Sequence, residues 1–271
     1  MKTNTLQVPG GELYYEVQGS GPLLLISQSG EGDARRSRHL VDRLIGDYTV
    51  ITYDRRGLAH SRTDEPATMA THADDVHHLL ATLTDEPVAM LGCSMGAAIG
   101  LHLAVRHPEQ LSVLVAHEPV TPWILGAAER AHHMRELEEC QEVFHRDGWQ
   151  AALKPMVKTL GINPASQDME SGVQLPPITP ERAAGFAYFI DHDFTAVRQD
   201  WLDAAALQKS PVRIVPATGR TTPRQVFDHK CAVELADLRG VPLEEFPGGH
   251  NGNLTHPAAY AAQLRKLLPG N

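Results

Sequence analysis

The sequence predicts an α/β fold: a mostly parallel, eight-stranded sheet with helices on both faces and a helical cap inserted after the sixth strand. Three observations carry this. Unbroken apolar runs such as Leu23–Ser27 alternate with amphipathic stretches, the pattern of strands buried on both faces. Between Pro119 and about Leu207 the alternation gives way to helical periodicity, and it resumes afterwards. A glycine-framed serine, Gly92-Cys93-Ser94-Met95-Gly96, joins an apolar strand to a helical pattern.

In chain order, residues 6–8 and 12–17 flank Pro9-Gly10-Gly11 and form a hairpin. Gly19-Ser20-Gly21-Pro22 closes it, and Leu23–Ser27 is the next strand. Residues 38–45 make an amphipathic helix, and 48–53 a strand ending in the structural turn Asp54-Arg55-Arg56-Gly57. Residues 71–83 are helical, with Thr71 as cap and Asp74 three positions on. Residues 87–91 and 97–105 are the strand and helix around Ser94, and 112–116 is the sixth strand. After the insertion, strands at 212–216 and 243–246 alternate with helices at 224–238 and 257–268. The core domain is therefore 1–118 with 208–271, and the cap is 119–207. Within the cap, 127–145 and 182–207 read as helices joined by a Pro/Gly/Ser-rich stretch at 161–180.

Composition narrows the function classes. A chain of 271 residues that is 42% hydrophobic is enough for one large α/β domain with an insertion or for two small domains. A net charge of −9 without a Lys/Arg run argues against nucleic acid or an anionic membrane as partner. Three scattered cysteines, Cys93, Cys140 and Cys231, suit a reducing compartment better than a disulfide framework. The chain starts directly into a strand and carries no apolar run of about 18 residues, so a cytoplasmic protein is expected. A homodimer is compatible with this reading.

The turn around Ser94 has the form of a nucleophile elbow. Such a turn strains the serine backbone, and side chains two residues before and after it would collide, hence Gly92 and Gly96. The hydroxyl is pushed out at the sheet's carboxyl edge above a helix N-terminus, which favours negative charge. Centring the turn on Cys93 would put Leu91 and Met95 at the crowded positions, so Cys93 reads as packing.

A serine needs a neighbouring base. In the order Ser, acid, His, the base follows the last strand, where Pro247-Gly248-Gly249-His250-Asn251-Gly252 offers His250. His256, before a proline, reads as a helix-start residue. The turn after the 212–216 strand, Ala217-Thr218-Gly219-Arg220-Thr221-Thr222-Pro223, holds no carboxylate. The acid is therefore placed at Glu118, at the carboxyl end of the sixth strand. Asp228 is the alternative, but it sits well inside a predicted helix and would have to point back over the sheet. Oxyanion donors are the amide of Met95 and one from the loop Gln28-Ser29-Gly30-Glu31-Gly32-Asp33, with Ser29 and Gly30 both open. All three tryptophans and four of the six phenylalanines fall in the cap. Most build its core; Trp123, Phe189 and, beyond the cap, Phe227 are candidates to line an apolar pocket above Ser94.

His77-His78 and His132-His133 are adjacent positions, which on a helix point about 100° apart, so neither pair makes a metal site. Asp74 and His78 share a face but lack a third ligand. All read as solvated helix surface, and neither metal nor cofactor is expected.

These residues resemble the α/β-hydrolase fold across the chain outside the cap. Three segments are similar to the zearalenone lactonase group: Gly92-Cys93-Ser94-Met95-Gly96-Ala97, His117-Glu118-Pro119-Val120-Thr121, and Pro247-Gly248-Gly249-His250 with His256-Pro257. That group carries its acid on the Glu after the sixth strand, which matches Glu118. The resemblance implies hydrolysis of a macrocyclic ester through an acyl-enzyme. It departs at Gln28-Ser29, where the group has Asp-Gly, and no cap residue matches the group's substrate-contacting tryptophan. The expected function is a cofactor-independent serine hydrolase of a small apolar carboxylic ester or lactone. The alternatives are a small-molecule receptor on the same fold with vestigial turnover, and a carbon–carbon hydrolase or cofactor-free haloperoxidase.

Overall fold

The computed structural model describes residues 1–162 and 168–268. Its strands are β1 (Lys2–Val8), β2 (Gly11–Gly19), β3 (Leu23–Ser27), β4 (Thr49–Tyr53), β5 (Arg62–Thr63), β6 (Val88–Cys93), β7 (Leu111–His117), β8 (Arg213–Gly219) and β9 (Glu244–Phe246). They form one sheet in the order β1-β2-β4-β3-β6-β7-β8-β9, with β5 pairing on β2. The eight expected strands are present; the ninth, β5, is a two-residue pairing too short to leave a pattern in the sequence. β1, β2 and β4 pair antiparallel, and every pairing from β4 to β9 is parallel.

The helices are α1 (Arg38–Leu44), α2 (Met69–Leu83), α3 (Met95–Arg106), α4 (Ala127–Asp147), α5 (Trp149–Thr159), α6 (Pro180–Tyr188), α7 (Phe194–Arg198), α8 (Ala204–Lys209), α9 (Phe227–Arg239), α10 (Gly252–Thr255) and α11 (Pro257–Leu267). Successive strand residues feed two cores. Leu25, Met90 and Leu114 meet α2, α3, α9 and the inserted segment; Leu24, Leu91 and Val113 meet α1 and α11. Both faces being covered explains the unbroken apolar runs. Of the helices in the insertion, α4 to α8 all lie in sequence between β7 and β8.

Several boundaries differ from expectation for local reasons. α2 starts at Met69 and not after Thr71, because Thr68 Oγ1 accepts the Thr71 amide at 3.1 Å and caps it. α5 has no counterpart among the expected elements, because Pro155 inside it masks its helical signal. The expected helix over 182–207 is interrupted by a π-helical turn at Phe189–Asp193 and by a non-helical stretch before α8. Part of the 161–180 stretch, residues 163–167, lies outside the described residues.

The Asp54–Gly57 turn does more than end β4. Arg55 donates to the Ser29 carbonyl at 3.0 Å and to the Gly30 carbonyl at 2.7 Å, and pairs with Asp193 of the π-helical turn at 2.5 Å. Both partners are buried, so each is the other's counter-charge. The Phe189 ring lies against Gly30 so closely that a Cβ there would strike it. The inserted segment thereby fixes the loop that follows β3. Asp193→Ala leaves Arg55 buried and unpaired, a loss of about 3–5 kcal/mol. We expect thermal denaturation followed by circular dichroism to show Tm falling by roughly 10 °C; a change under about 2 °C would contradict the role given to this pair.

Candidate active site

β3, β6, β7, β8 and β9 run parallel, so their carboxyl ends share one edge, where such sheets place their sites. Ser94 leaves β6 at this edge as the N-cap of α3, with φ 55° and ψ −114°. Its N–H donates to the His117 carbonyl at 2.8 Å, tying the turn to β7. The glycines act as the sequence suggested: a Cβ on Gly92 would lie 2.6 Å from Ala97 Cα, and one on Gly96 would strike the Ser27 carbonyl. Among the described residues three non-glycine positions have positive φ, and two of them are Ser94 and Glu118. Strained backbone therefore gathers at this edge, at about 1–3 kcal/mol per residue.

Glu118 turns out of β7 with φ 46°, its N–H donating to the Ala217 carbonyl of β8 at 2.8 Å. Its Oε1 accepts the Thr218 hydroxyl at 2.7 Å and the Gly219 amide at 2.8 Å. Because the Thr218 proton goes to Glu118, His229 Nδ1, 2.8 Å from the same hydroxyl oxygen, is the N–H donor to it. The other oxygen, Oε2, accepts from His250 Nδ1 at 2.7 Å. His250 arrives on the loop after β9, where a Cβ on Gly219 would lie 2.5 Å from the Gly249 backbone. Two glycines pass each other to let that loop cross the sheet edge.

A second carboxylate reaches the same nitrogen. Asp228 Oδ2 lies 2.5 Å from His250 Nδ1, although not aligned to accept its hydrogen. The expected helix over 224–238 begins at Phe227, so Asp228 stands in its first turn and faces the sheet edge. A helix starting at 224 would hold it more than a turn in and away from this edge. Glu118, Asp228 and His250 are all buried.

Burial alone would favour the neutral ring of His250, but Asp228 and Glu118 outweigh it and raise its pKa to about 10. Burial pushes Glu118 up, yet the hydrogen bond from His250 and the imidazoles beside it hold it well below the usual carboxylate range. Asp228 ends raised, at about 6, because burial dominates what His250 returns. Glu118 is thus the settled anion, with three donors, and Asp228 the carboxyl that takes up a proton first.

The Ser94 hydroxyl has no hydrogen-bond partner among the described residues. Neither do the amides of Ser29, Gly30 and Met95 donate to another described residue. The Ser29 and Gly30 carbonyls are turned to Arg55. Cys93 faces the other core, with its Sγ 4.0 Å from the Tyr260 hydroxyl, and burial pushes its thiol up to about 12. It is not activated. Cys140 and Cys231 are also free and buried.

Of the three candidate pocket aromatics, Phe189 lies over the loop after β3, and Trp123 is buried in the turn after Glu118. Phe227 is fully buried between α9 and α4, its ring 5.4 Å from that of His133. Cavities of 520 Å³ beside α4, α5 and α9 and of 420 Å³ between α2 and α7 are lined by none of these three nor by Ser94. The histidine pairs also differ from plain solvated surface. His133 is buried because α4 packs on α9, and Glu136 lies 2.6 Å from its Nδ1. His77 stacks on His107 with ring centres 3.7 Å apart, and Asp74 pairs with Arg106 and not with His78. His132, His133 and Glu136, and His77, His107 and Glu109, bring ligand atoms within 4.8 Å of one another.

Residues 22–141 match the family described as alpha/beta hydrolase fold. The "Uncharacterized hydrolase YraK" of Bacillus subtilis (strain 168) is 34% identical over 278 residues, covering 99% of this chain and 96% of its own. The chain belongs to the alpha/beta hydrolase fold family. A hydrolase from Pseudomonas aeruginosa PA01 has a similar structure, with TM-score 0.77 and 22% identity over 99% of this chain and 98% of its own. The enol-lactonase of Burkholderia xenovorans LB400 matches with TM-score 0.69 and 19% identity over 97% and 98%. This hydrolase has no described helix long and apolar enough to cross a membrane.

The raised His250 has a consequence for stability with a definite sign. Its contribution is full below the unfolded value of about 6.5 and is lost as pH rises through about 10. We expect the Tm difference between wild type and His250→Gln to shrink from pH 7 to pH 10.5; a constant or growing difference would contradict the charge assignment.

Proposed function

We propose that this hydrolase cleaves a carboxylic ester or lactone through an acyl-enzyme formed on Ser94. His250 takes the Ser94 proton as the hydroxyl oxygen attacks the carbonyl carbon, and Glu118 holds the ring by Nδ1 and stabilises the imidazolium. The amide of Met95 and that of Ser29 or Gly30 receive the oxyanion. His250 then returns the proton to the leaving alkoxide, and a water activated by the same ring releases the acid.

The observation that carries this reading is the meeting of Glu118 and His250 across 2.7 Å at the strand end beside the strained Ser94 turn. Residues 132 positions apart in sequence form a buried, aligned hydrogen bond through Nδ1, which leaves Nε2 as the atom that takes up the Ser94 proton in the fraction of rings that are neutral. The free amides at both sides of that edge supply the donors that acyl transfer requires and ordinary packing does not. The enol-lactonase of similar fold is one hydrolase built on this architecture.

In this reading residues 119–207 form the cap, and Phe189 and Trp123 face an apolar acyl or ring portion of the substrate. Neither a metal nor an organic cofactor enters the reaction. Steady-state hydrolysis of short p-nitrophenyl esters and of macrolactones tests it. Ser94→Ala should lower kcat by about 10⁴-fold or more with Tm unchanged, and Glu118→Gln by about 10³–10⁴-fold. Activity of Ser94→Ala within tenfold of wild type would overturn the proposal.

A further inference from the structure

We propose that Asp228 is a second acid of this site, a positioning residue that shares His250 Nδ1 with Glu118 and sets the pH above which the imidazole can serve as base. The inference rests on the reading of His250 given above and adds to it a residue outside the triad.

The geometry comes first. Glu118 Oε2 and Asp228 Oδ2 stand 2.7 and 2.5 Å from one nitrogen. A single N–H can point at one oxygen, and it points at Glu118. Glu118 has two further donors in Thr218 and Gly219, whereas neither oxygen of Asp228 accepts an aligned hydrogen bond among the described residues. A fully buried carboxyl without a donor has one favourable neighbour left, the positive charge of the protonated ring. Asp228 therefore stabilises the imidazolium without helping to aim it. Such a group makes the ring a stronger base and also keeps it protonated to higher pH.

The surroundings leave this effect uncompensated. From β7, His117 packs on Phe246 and Tyr260 and reaches the ring only through charge, and burial pushes it down to about 4, so it is neutral at pH 7. From α9, burial likewise lowers His229, which is occupied with Thr218. Cys93 of β6 and Tyr260 of α11 are pushed up by burial and carry no charge. Ser94, the N-cap of α3, and Thr222, in the loop after β8, carry uncharged hydroxyls. Among these groups the two carboxyls are the source of negative charge at His250. A merely structural Asp228 would instead be spent on capping α9, yet the cap position is Val226, which makes no side-chain cap bond, and neither Asp228 oxygen has an aligned donor among the described residues.

The test reads the ring directly and needs no substrate. In full-length protein labelled with ¹⁵N-histidine, the His250 ring signals are assigned with His250→Gln and titrated in wild type and Asp228→Asn. The midpoint should lie well above the ordinary 6.5 in wild type and fall by more than one pH unit in Asp228→Asn. The acid limb of kcat/KM should move the same way, with the plateau rate reduced less than by Glu118→Gln. A midpoint within about 0.3 unit of wild type would overturn the proposal. If Asp228→Asn does not fold, Asp228→Ser removes the same charge and carries the same two outcomes. Turnover by Ser94→Ala would refute the proposed reaction while leaving the titration of Asp228 to stand or fall by itself.

Discussion

The buried hydrogen bond from His250 to Glu118 is the contact on which the rest of the site depends. An imidazole and a carboxylate are both expensive to remove from water, and burying either alone would cost several kcal/mol. They are tolerated because each is the other's partner and because Thr218 and Gly219 complete the lone pairs of the carboxylate. That pairing is possible only where parallel strands end side by side. Glu118 leaves β7, its two extra donors sit at the end of β8, and His250 follows β9. The sheet topology thus determines which sequence-distant residues can meet. The left-handed backbone at Glu118 and Ser94 is the local cost of turning side chains out over that edge.

The same edge shows how the inserted helices are coupled to the core. Arg55, at the end of β4, holds the two carbonyls of the loop after β3, and its charge is met by Asp193 from the insertion. Turning the Ser29 and Gly30 carbonyls toward Arg55 fixes the peptide planes around them, so a stable loop conformation needs the insertion in place. A π-helical turn at 189–193 brings both Asp193 and Phe189 to this contact. The insertion is therefore part of what shapes the loop, beyond covering it.

Much of the fold was legible in the sequence because the driving patterns were strong. Uninterrupted apolar strands such as 23–27 and 88–93 admit little but a sheet covered on both faces, and Gly92 and Gly96 mark where backbone passes backbone. β5 and α5 were not legible, the first for its length and the second because Pro155 looks like a break. At the site, the missing carboxylate after β8 directed attention to Glu118, and the structure places Glu118 on His250. What one sequence conceals is the start of α9. Moving it from 224 to 227 brings Asp228 from mid-helix to the first turn and into contact with His250. Arg55 and Asp193 were equally hidden, since a pairing across 138 positions leaves no local pattern. His133 looked like a solvated residue because the sequence does not show that α4 packs on α9.

The central claim is that the hydroxyl held at the end of β6 becomes the covalent attachment point for the substrate's acyl group. Reaction of the native protein with a fluorophosphonate, followed by mass spectrometry of its peptides, addresses that claim most directly. The account predicts a single adduct on Ser94 whose formation is abolished by His250→Gln. An adduct on another residue, or none under conditions where the protein hydrolyses esters, would contradict it.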